Sequence, residues 1–488
     1  MAQQEIIELK RLADTSGERV AELRGLLKVA KASAQKHLLD LHRAQNALCV
    51  AVAMPYEVLA LIFEQGVQTE RELVSEPAQD FAGVVTRVCS KWRQIAVGKP
   101  DLWVVVWYDG NGGDQAREKI MTRLERSGVL ALDIRIVKSR DGHFAAGLLR
   151  KLGRMMNRCR ALQILDFGEG DRELARVISA LCGGAAPQLE YLTLSAMEED
   201  LWAHGLFPSG APKLKVANLL GFNAKQIVYC GPCLTGITHL RLGGLTLSLA
   251  GDYVGLVRLL KSMPAVSHLE VDPLWTDVPH ATLPTITLPS LRFLQLGLVD
   301  DIFCLDAALG MMVAPSLVTL VLRGWTSGGV VSIETGVRHT QFPILRRLVL
   351  QENISPMLRE NVWLGASFPK IAELVLMPGW EDRQTLRIGR VFDLLVYNAS
   401  EGWQQLESIA LSSIGLPRDG LKLDRHLQAI TTALKAGEAQ IPLSKLYLAR
   451  SDIEMASVET VQALENVLDV TFFRADLPLG VRERGVGR

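Results

Sequence analysis

Twelve short stretches of this 488-residue chain carry one pattern: an apolar residue, two spacers, a second apolar residue, one spacer and a third apolar residue. Leu189-Glu190-Tyr191-Leu192-Thr193-Leu194 and Leu317-Val318-Thr319-Leu320-Val321-Leu322 are representative. The stretches open at Leu162, Leu189, Leu214, Ile237, Val266, Leu291, Leu317, Leu345, Ile371, Leu406, Leu443 and Val467. Most steps lie between 23 residues (Leu214 to Ile237) and 29 residues (Ile237 to Val266), while Ile371 to Leu406 and Leu406 to Leu443 span 35 and 37. Alternate residues of a strand face opposite ways, so the flanking apolar residues share one face and the single spacer points to the other. Self-similarity at a fixed period predicts a stack of parallel strands, an architecture that offers an extended binding surface.

The period is similar to that of the leucine-rich repeat. Pro often stands just before the strand (Pro187, Pro212, Pro264, Pro289, Pro315, Pro343, Pro369 and Pro442), where its missing N–H spoils no ladder bond. The Asn that forms a buried ladder in many such arrays is nearly absent, and only Asn353 holds its place. We therefore expect an irregular array over 105–476 and a loose Gly- and Arg-rich tail over 477–488. The spacers, read in order, are Asp133, Asp166, Thr193, Asn218, Arg241, Glu270 and Gln295, then Val321, Val349, Val375, Ala410 and Tyr447. The polar-to-apolar change predicts a partner-binding patch at Val321, Val349, Val375 and Tyr447 on the concave face, unless another segment of the chain covers it.

The front of the chain is different. From residue 4 to about 50, Ile6, Leu9, Ala13, Val20, Leu23, Leu27, Ala30, Ala34, Leu41, Ala44 and Leu48 recur at steps of three and four, a heptad seam interrupted by Ser16 and His37. This predicts a helix over 1–52. It would self-associate or brace another element as a coiled coil, or fold back on its own chain.

Over 53–104, Pro55 opens a helix with Val58, Leu59, Leu61, Ile62 and Phe63 at helical spacing. A second helix is predicted to carry Val84, Val85, Val88, Cys89, Trp92, Ile95 and Ala96. Met54-Pro55-Tyr56-Glu57…Ile62-Phe63, then Val88-Cys89-Ser90-Lys91-Trp92-Arg93-Gln94-Ile95-Ala96, then Pro100-Asp101-Leu102-Trp103, resemble an F-box. With the heptad helix before it and the leucine-rich region after it, the chain is similar to F-box proteins common in mushroom-forming fungi. The resemblance implies an α/β protein: a helical coiled-coil segment, a helical F-box and an irregular leucine-rich-repeat solenoid with a parallel concave sheet. It implies a substrate-recognition subunit of an SCF-type ubiquitin ligase. Pro55, Tyr56, Glu57, Leu59, Ile62, Phe63, Val88, Cys89, Trp92 and Ile95 would dock on the Skp-family adaptor, which bridges to the cullin, and the array would hold an unknown protein target.

Other chemistry finds little support. Lys+Arg and Asp+Glu are both 53, so no basic excess is available for nucleic acid. No apolar run approaches the roughly 18 residues of a membrane span. Seven scattered Cys and a start without a secretory layout predict a reduced intracellular protein, cytoplasmic or nuclear. Cys230-Gly231-Pro232-Cys233 is similar to a thioredoxin motif, but the residues after it read as a turn entering a strand, which predicts a Gly-Pro turn with two half-buried thiols. Asp109-Gly110-Asn111-Gly112-Gly113 lacks the Walker and Rossmann spacings and reads as a strand-to-helix turn. The nine His form no metal or catalytic spacing, so neither a cofactor nor catalysis is expected. The alternatives to the ligase reading are a non-catalytic interaction scaffold and a thiol-disulfide protein using Cys230 and Cys233.

Overall fold

The computed structural model describes residues 2–72, 80–110, 113–138, 143–165, 172–195, 205–247, 250–276, 285–298, 309, 312–323, 340–351, 368–377, 405–411, 420–436, 442–449 and 457–473. The chain divides into two compact units, Met1–Trp103 and Val104–Arg488.

In the first unit, α1 (Ala2–Ala47) is a single helix of 46 residues. The fold-back expectation is corrected: every described side chain from Gln3 to Gln45 is exposed. Gly17 and Gly25 have open space around them, and each weakens the helix by about 1 kcal/mol relative to Ala. After the short α2 (Val50–Ala53), α3 (Tyr56–Glu72) begins directly behind Pro55. It buries Leu59, Phe63 and Val67 on one stripe, spaced so that they share a helix face.

The single second helix expected here is corrected to two, α4 (Phe81–Val88) and α5 (Ser90–Val97). Asp80 caps α4 by accepting the Gly83 N–H at 2.8 Å. Cys89 between them is extended (φ −156°, ψ 174°), and its Sγ accepts the Trp92 N–H at 3.5 Å, capping α5. The helical periodicity of the apolar residues runs through Cys89 unbroken, so the sequence hides the break. The core is aromatic: Phe63 meets Trp92 edge-on at 5.0 Å and Phe81 at 6.4 Å. Lys91 Nζ donates to the Val52 and Met54 carbonyls, each at 2.7 Å, fixing the entry to α3. The Trp103 indole donates to the Ala96 carbonyl at 2.8 Å.

The second unit is α/β. Among the described residues its main sheet has 14 strands: β1 (Val105–Tyr108), β2 (Leu132–Val137), β3 (Cys159–Leu165), β4 (Tyr191–Ser195), β5 (Val216–Leu220), β6 (His239–Leu247), β7 (His268–Thr276), β9 (Phe293–Leu298), β11 (Thr319–Arg323), β12 (Arg347–Gln351), β13 (Glu373–Met377), β14 (Ser408–Leu411), β15 (Lys445–Ala449) and β16 (Asp469–Phe473). A separate parallel pair joins β8 (Ile286–Thr287) to β10 (Met312–Val313). Every strand of the main sheet pairs in parallel with the next in the chain, as the stack of repeats predicts. Helices connect early strands, among them α6 (Gly113–Arg126), α7 (Ala146–Arg154), α8 (Arg172–Cys182), α9 (Ala224–Leu234) and α10 (Ala250–Lys261). The flanking apolar residues, such as Leu240 and Leu242, lie in one continuous buried cluster with Ile227 of α9 and Leu260 of α10.

The prolines do more than precede the strands. Leu189, Leu214, Val266, Leu291, Leu317, Leu345 and Ile371 each donate their N–H to the carbonyl three residues back, at 3.1–3.3 Å. The acceptors are Ala186, Ala211, Met263, Leu288, Ala314, Phe342 and Phe368, all buried, and Pro is the next residue in every case. Pro is favoured there because its fixed φ suits the first central position of a β-turn. A backbone ladder then crosses the repeats: Lys215 N–H to Glu190 O at 3.0 Å, Thr238 to Lys215 at 2.8 Å, Ser267 to Thr238 at 2.9 Å and Arg292 to Ser267 at 2.8 Å. It couples neighbouring repeats through main-chain groups, which explains how the array stacks with so few Asn.

Gly66 of α3 lies against Phe81: a Cβ there would come within 2.2 Å of the ring. Gly66→Ala should destabilise the first unit by about 1–3 kcal/mol despite the better helix propensity of Ala. Denaturant unfolding followed by Trp fluorescence measures this, with Gly17→Ala, at an open position, expected to stabilise.

Candidate functional site

Two surfaces and one thiol pair were marked by the sequence. On the first unit, Leu59, Phe63 and Ile95 are at most 1% exposed, which corrects their assignment as adaptor contacts: they are the core that positions the others. Pro55, Tyr56, Glu57, Ile62 and Val88 are exposed, and Cys89 and Trp92 are half-buried. Sequence reasoning missed Val58, Leu61 and Val84, which are 42%, 65% and 53% exposed. Val58, Leu61 and Ile62 share one face of α3, and Val84 and Val88 share one face of α4, by their i, i+3 and i+4 spacing. The signal was in the sequence: two apolar faces on one short helix exceed what a small core can bury. Glu64 of α3 pairs with Lys99, and this hydrogen bond, opposed by burial and helped by the charge of Glu64, holds the Lys99 ammonium above its ordinary value.

On the sheet, the spacer row is in register from Gln163 through Thr193, Asn218, Arg241, Glu270, Gln295, Val321, Val349 and Val375 to Ala410 and Tyr447. Arg135, not Asp133, occupies the row on β2, since it pairs with Gln163. Asp133 lies two residues earlier, on the same side, and is buried with the Arg160 guanidinium on both its oxygens at 3.0 and 2.6 Å. On β3 the row falls at Gln163 rather than Asp166, so that repeat opens at Cys159 and not at Leu162; Asp166 and Asn353 lie outside the described residues.

The exposed apolar patch is corrected. Val321, Val349 and Val375 are 0% exposed and Ala410 is 1%. They form their own buried cluster, with Phe293, Met377 and half-buried Tyr447 packed on it. Strands β11 to β14 are therefore covered on both faces, and they read as the unbroken apolar runs Leu-Val-Leu and Ile-Ala-Leu that two-sided burial favours.

The polar half of the row is a network of paired groups. Asn218 Nδ2 donates to Thr193 Oγ1 at 3.1 Å. Arg241 reaches Glu270 at 3.4 Å, and His268 Nε2 lies 2.7 Å from the other Glu270 oxygen. His268 stacks on Phe293 at 4.0 Å and on His239 at 5.2 Å. Burial pushes the Glu270 carboxyl up, but the hydrogen bond from His268 and the charges of His268, Arg241 and His239 outweigh it and hold it below its ordinary value. Asp272 bridges to Arg323 beside Gly297, where a Cβ would sit 1.9 Å from the Asp272 carboxylate. Only Gly at that position leaves room for the bridge.

Cys230-Gly231-Pro232-Cys233 is not the expected turn. It forms the last turns of α9, which starts at an Asn223–Gln226 capping box. Gly231 permits the approach of α10, where Leu259 would lie 3.1 Å from an added Cβ. The thiols are fully buried, not half-buried, and donate to the carbonyls of Gln226 (3.3 Å) and Cys230 (3.1 Å). Burial pushes the Cys233 thiol up to about 12 and Cys230 well above its usual value. A reactive pair needs an accessible, lowered thiolate at a helix start; this one has buried thiols near a helix end. Among the described residues, no three His, Cys, Asp or Glu side chains are grouped to hold a metal ion, and no helix is long and apolar enough to cross a membrane.

No family model and no curated protein matches this chain. It has a structural likeness to a Bacteroides fragilis protein solved by a structural genomics consortium, at 16% identity over 54% of this chain and 66% of that one, with a TM-score of 0.30. So remote a likeness carries no argument about fold or function.

Val349→Lys should unfold or strongly destabilise the second unit, by about 3 kcal/mol or more, because it buries an unpaired ammonium. A melting curve unchanged within a degree would return Val349 to the surface. Thiol labelling of the native protein at pH 8 should modify Cys49, which is exposed, and leave Cys230 and Cys233 unmodified until denaturant is added.

Proposed function

We propose that the chain is a substrate-recognition subunit of an SCF-type ubiquitin ligase, with an F-box over 53–104 and a leucine-rich-repeat solenoid over 105–476. The observation that carries this reading is the exposed apolar surface of α3 and α4 (Val58, Leu61, Ile62, Val84 and Val88) on a small helical unit whose sequence resembles an F-box. An apolar helical face left in water marks a docking surface, and helix faces filling a partner's groove are a recurrent way to join proteins. In this reading the Skp-family adaptor covers that face, with Tyr56 and Ile62 as anchors. Leu59, Phe63 and Ile95 hold the helices rather than touch the adaptor.

The target binds on the solenoid's spacer face, at the polar half around Arg241, His268 and Phe293. The receptor makes and breaks no bonds; it raises the local concentration of target near the charged enzyme. The scaffold alternative uses the same surfaces without the adaptor. The reading places the protein in the cytoplasm or nucleus, where that machinery works.

Purified Skp-family adaptor should bind the full chain. Leu61→Asp and Val88→Asp, both on exposed positions, should each weaken binding at least tenfold, about 1.4 kcal/mol, with unchanged melting. Adaptor that ignores the wild-type chain, under conditions where an authentic F-box receptor captures it, removes the ligase reading and leaves the scaffold.

A further inference from the structure

Helix α1 remains without a role. It is 46 residues long, about 70 Å at 1.5 Å per residue. Leu9, Val20, Leu23, Leu27 and Leu41 of its seam are all 45–62% exposed. Gly17 and Gly25 weaken it internally, and a helix of this kind draws most of its stability from packing. A seam about 70 Å long and 10 Å wide would cover roughly 700 Å² per helix, about 1,400 Å² in total, the size of a stable two-protein interface.

We infer that this seam pairs with the seam of a second copy of the chain, antiparallel, making the protein a two-fold symmetric dimer. The direction follows from side-chain volumes. A parallel pair would set Ala30 on Ala30, Ala34 on Ala34 and His37 on His37, which is two thin layers followed by facing imidazoles. An antiparallel pair centred between Leu23 and Leu27 sets Leu9 against Leu41 of the other copy, Val20 against Ala30 and His37 against Ala13. Leucine then meets leucine at two layers, Ala13, Ala30 and Ala44 each face a larger side chain, and Ser16 on Ala34 is the one thin layer left, so the seam fills more evenly than in the parallel pair. The contact is isologous, so it closes at two chains. Flanking charges decide nothing: the parallel pair would gain Glu5 beside Lys10 and lose Arg19 beside Arg24. The dimer is independent of the adaptor reading, since α1 and the face on α3 and α4 are different surfaces.

The test is sedimentation equilibrium of the full chain at about 50 µM, well above a micromolar Kd. Wild type should be dimeric. Leu23→Asp/Leu27→Asp should be monomeric, its Kd raised at least a hundredfold, and Ser16→Leu, which fills the thin layer opposite Ala34, should tighten the dimer severalfold. In a Cys49→Ser background, mixed Leu9→Cys and Leu41→Cys chains should cross-link to each other, and Leu9→Cys chains alone should not. A monomeric wild type, a dimer that survives the double substitution, or cross-linked Leu9→Cys chains would each overturn the proposal.

Discussion

The sheet depends on a small backbone event repeated along the chain. The first leucine of a repeat turns its N–H back to a buried carbonyl three residues earlier, with proline between them. Each such bond is worth only about 1 kcal/mol net, but it fixes where the strand begins. With the start fixed, period-two geometry sends the flanking leucines to the helix side and the single spacer to the other. The ladder from Glu190 through Lys215, Thr238 and Ser267 then locks each repeat to the last. The buried leucines supply most of the stabilisation; the turns and ladder decide that they bury in register.

That logic made the sheet legible in the sequence, and it also explains what was misread. The spacing of Leu189, Leu214 and Ile237 gave strand number, direction and order, since all three follow from period. It said less about which faces are covered. Val321, Val349 and Val375 occupy spacer positions, yet they are closed to solvent. The position of a residue on a strand reveals its side of the sheet, while burial depends on what lies across from it. The composition of the run was the better guide: Leu-Val-Leu differs from Leu-Thr-Leu at one residue, and that residue reports the second cover. The slip from Arg135 to Asp133 has a simpler cause, because Leu132-Asp133-Ile134 and Ile134-Arg135-Ile136 fit the pattern equally and only the pairing with Gln163 separates them.

In the first unit the apolar positions of α3 were legible as a helical pattern, but not which of them face the core and which face water. Leu59 and Phe63 are as apolar as Leu61 and Ile62, and no local rule separates a core stripe from a docking stripe on the same helix. Only the positions of Phe81 and Trp92, brought against Phe63 by the break at Cys89, make that separation. The break escaped notice because Cys89 caps with sulfur, a weak acceptor that sequence rules for Ser, Thr, Asp and Asn do not anticipate. Pro232 misled in the opposite direction. Read as a helix stop, it sits on the exposed side of α9, where water can bond the carbonyl that its missing N–H leaves unpaired.

Strand order carries one more consequence. Among the described residues, each strand of the main sheet hydrogen-bonds only to the main-sheet strands before and after it, so each pairing reaches no further than the neighbouring repeat despite the width of the sheet. Low contact order favours fast, progressive assembly from any internal starting point. It also frees the connections to vary. The steps from Ile371 to Leu406 and on to Leu443 exceed the usual period by several residues, yet β13, β14 and β15 keep their pairing. Insertions between strands are thus a route by which such a chain acquires new surface without renegotiating its core.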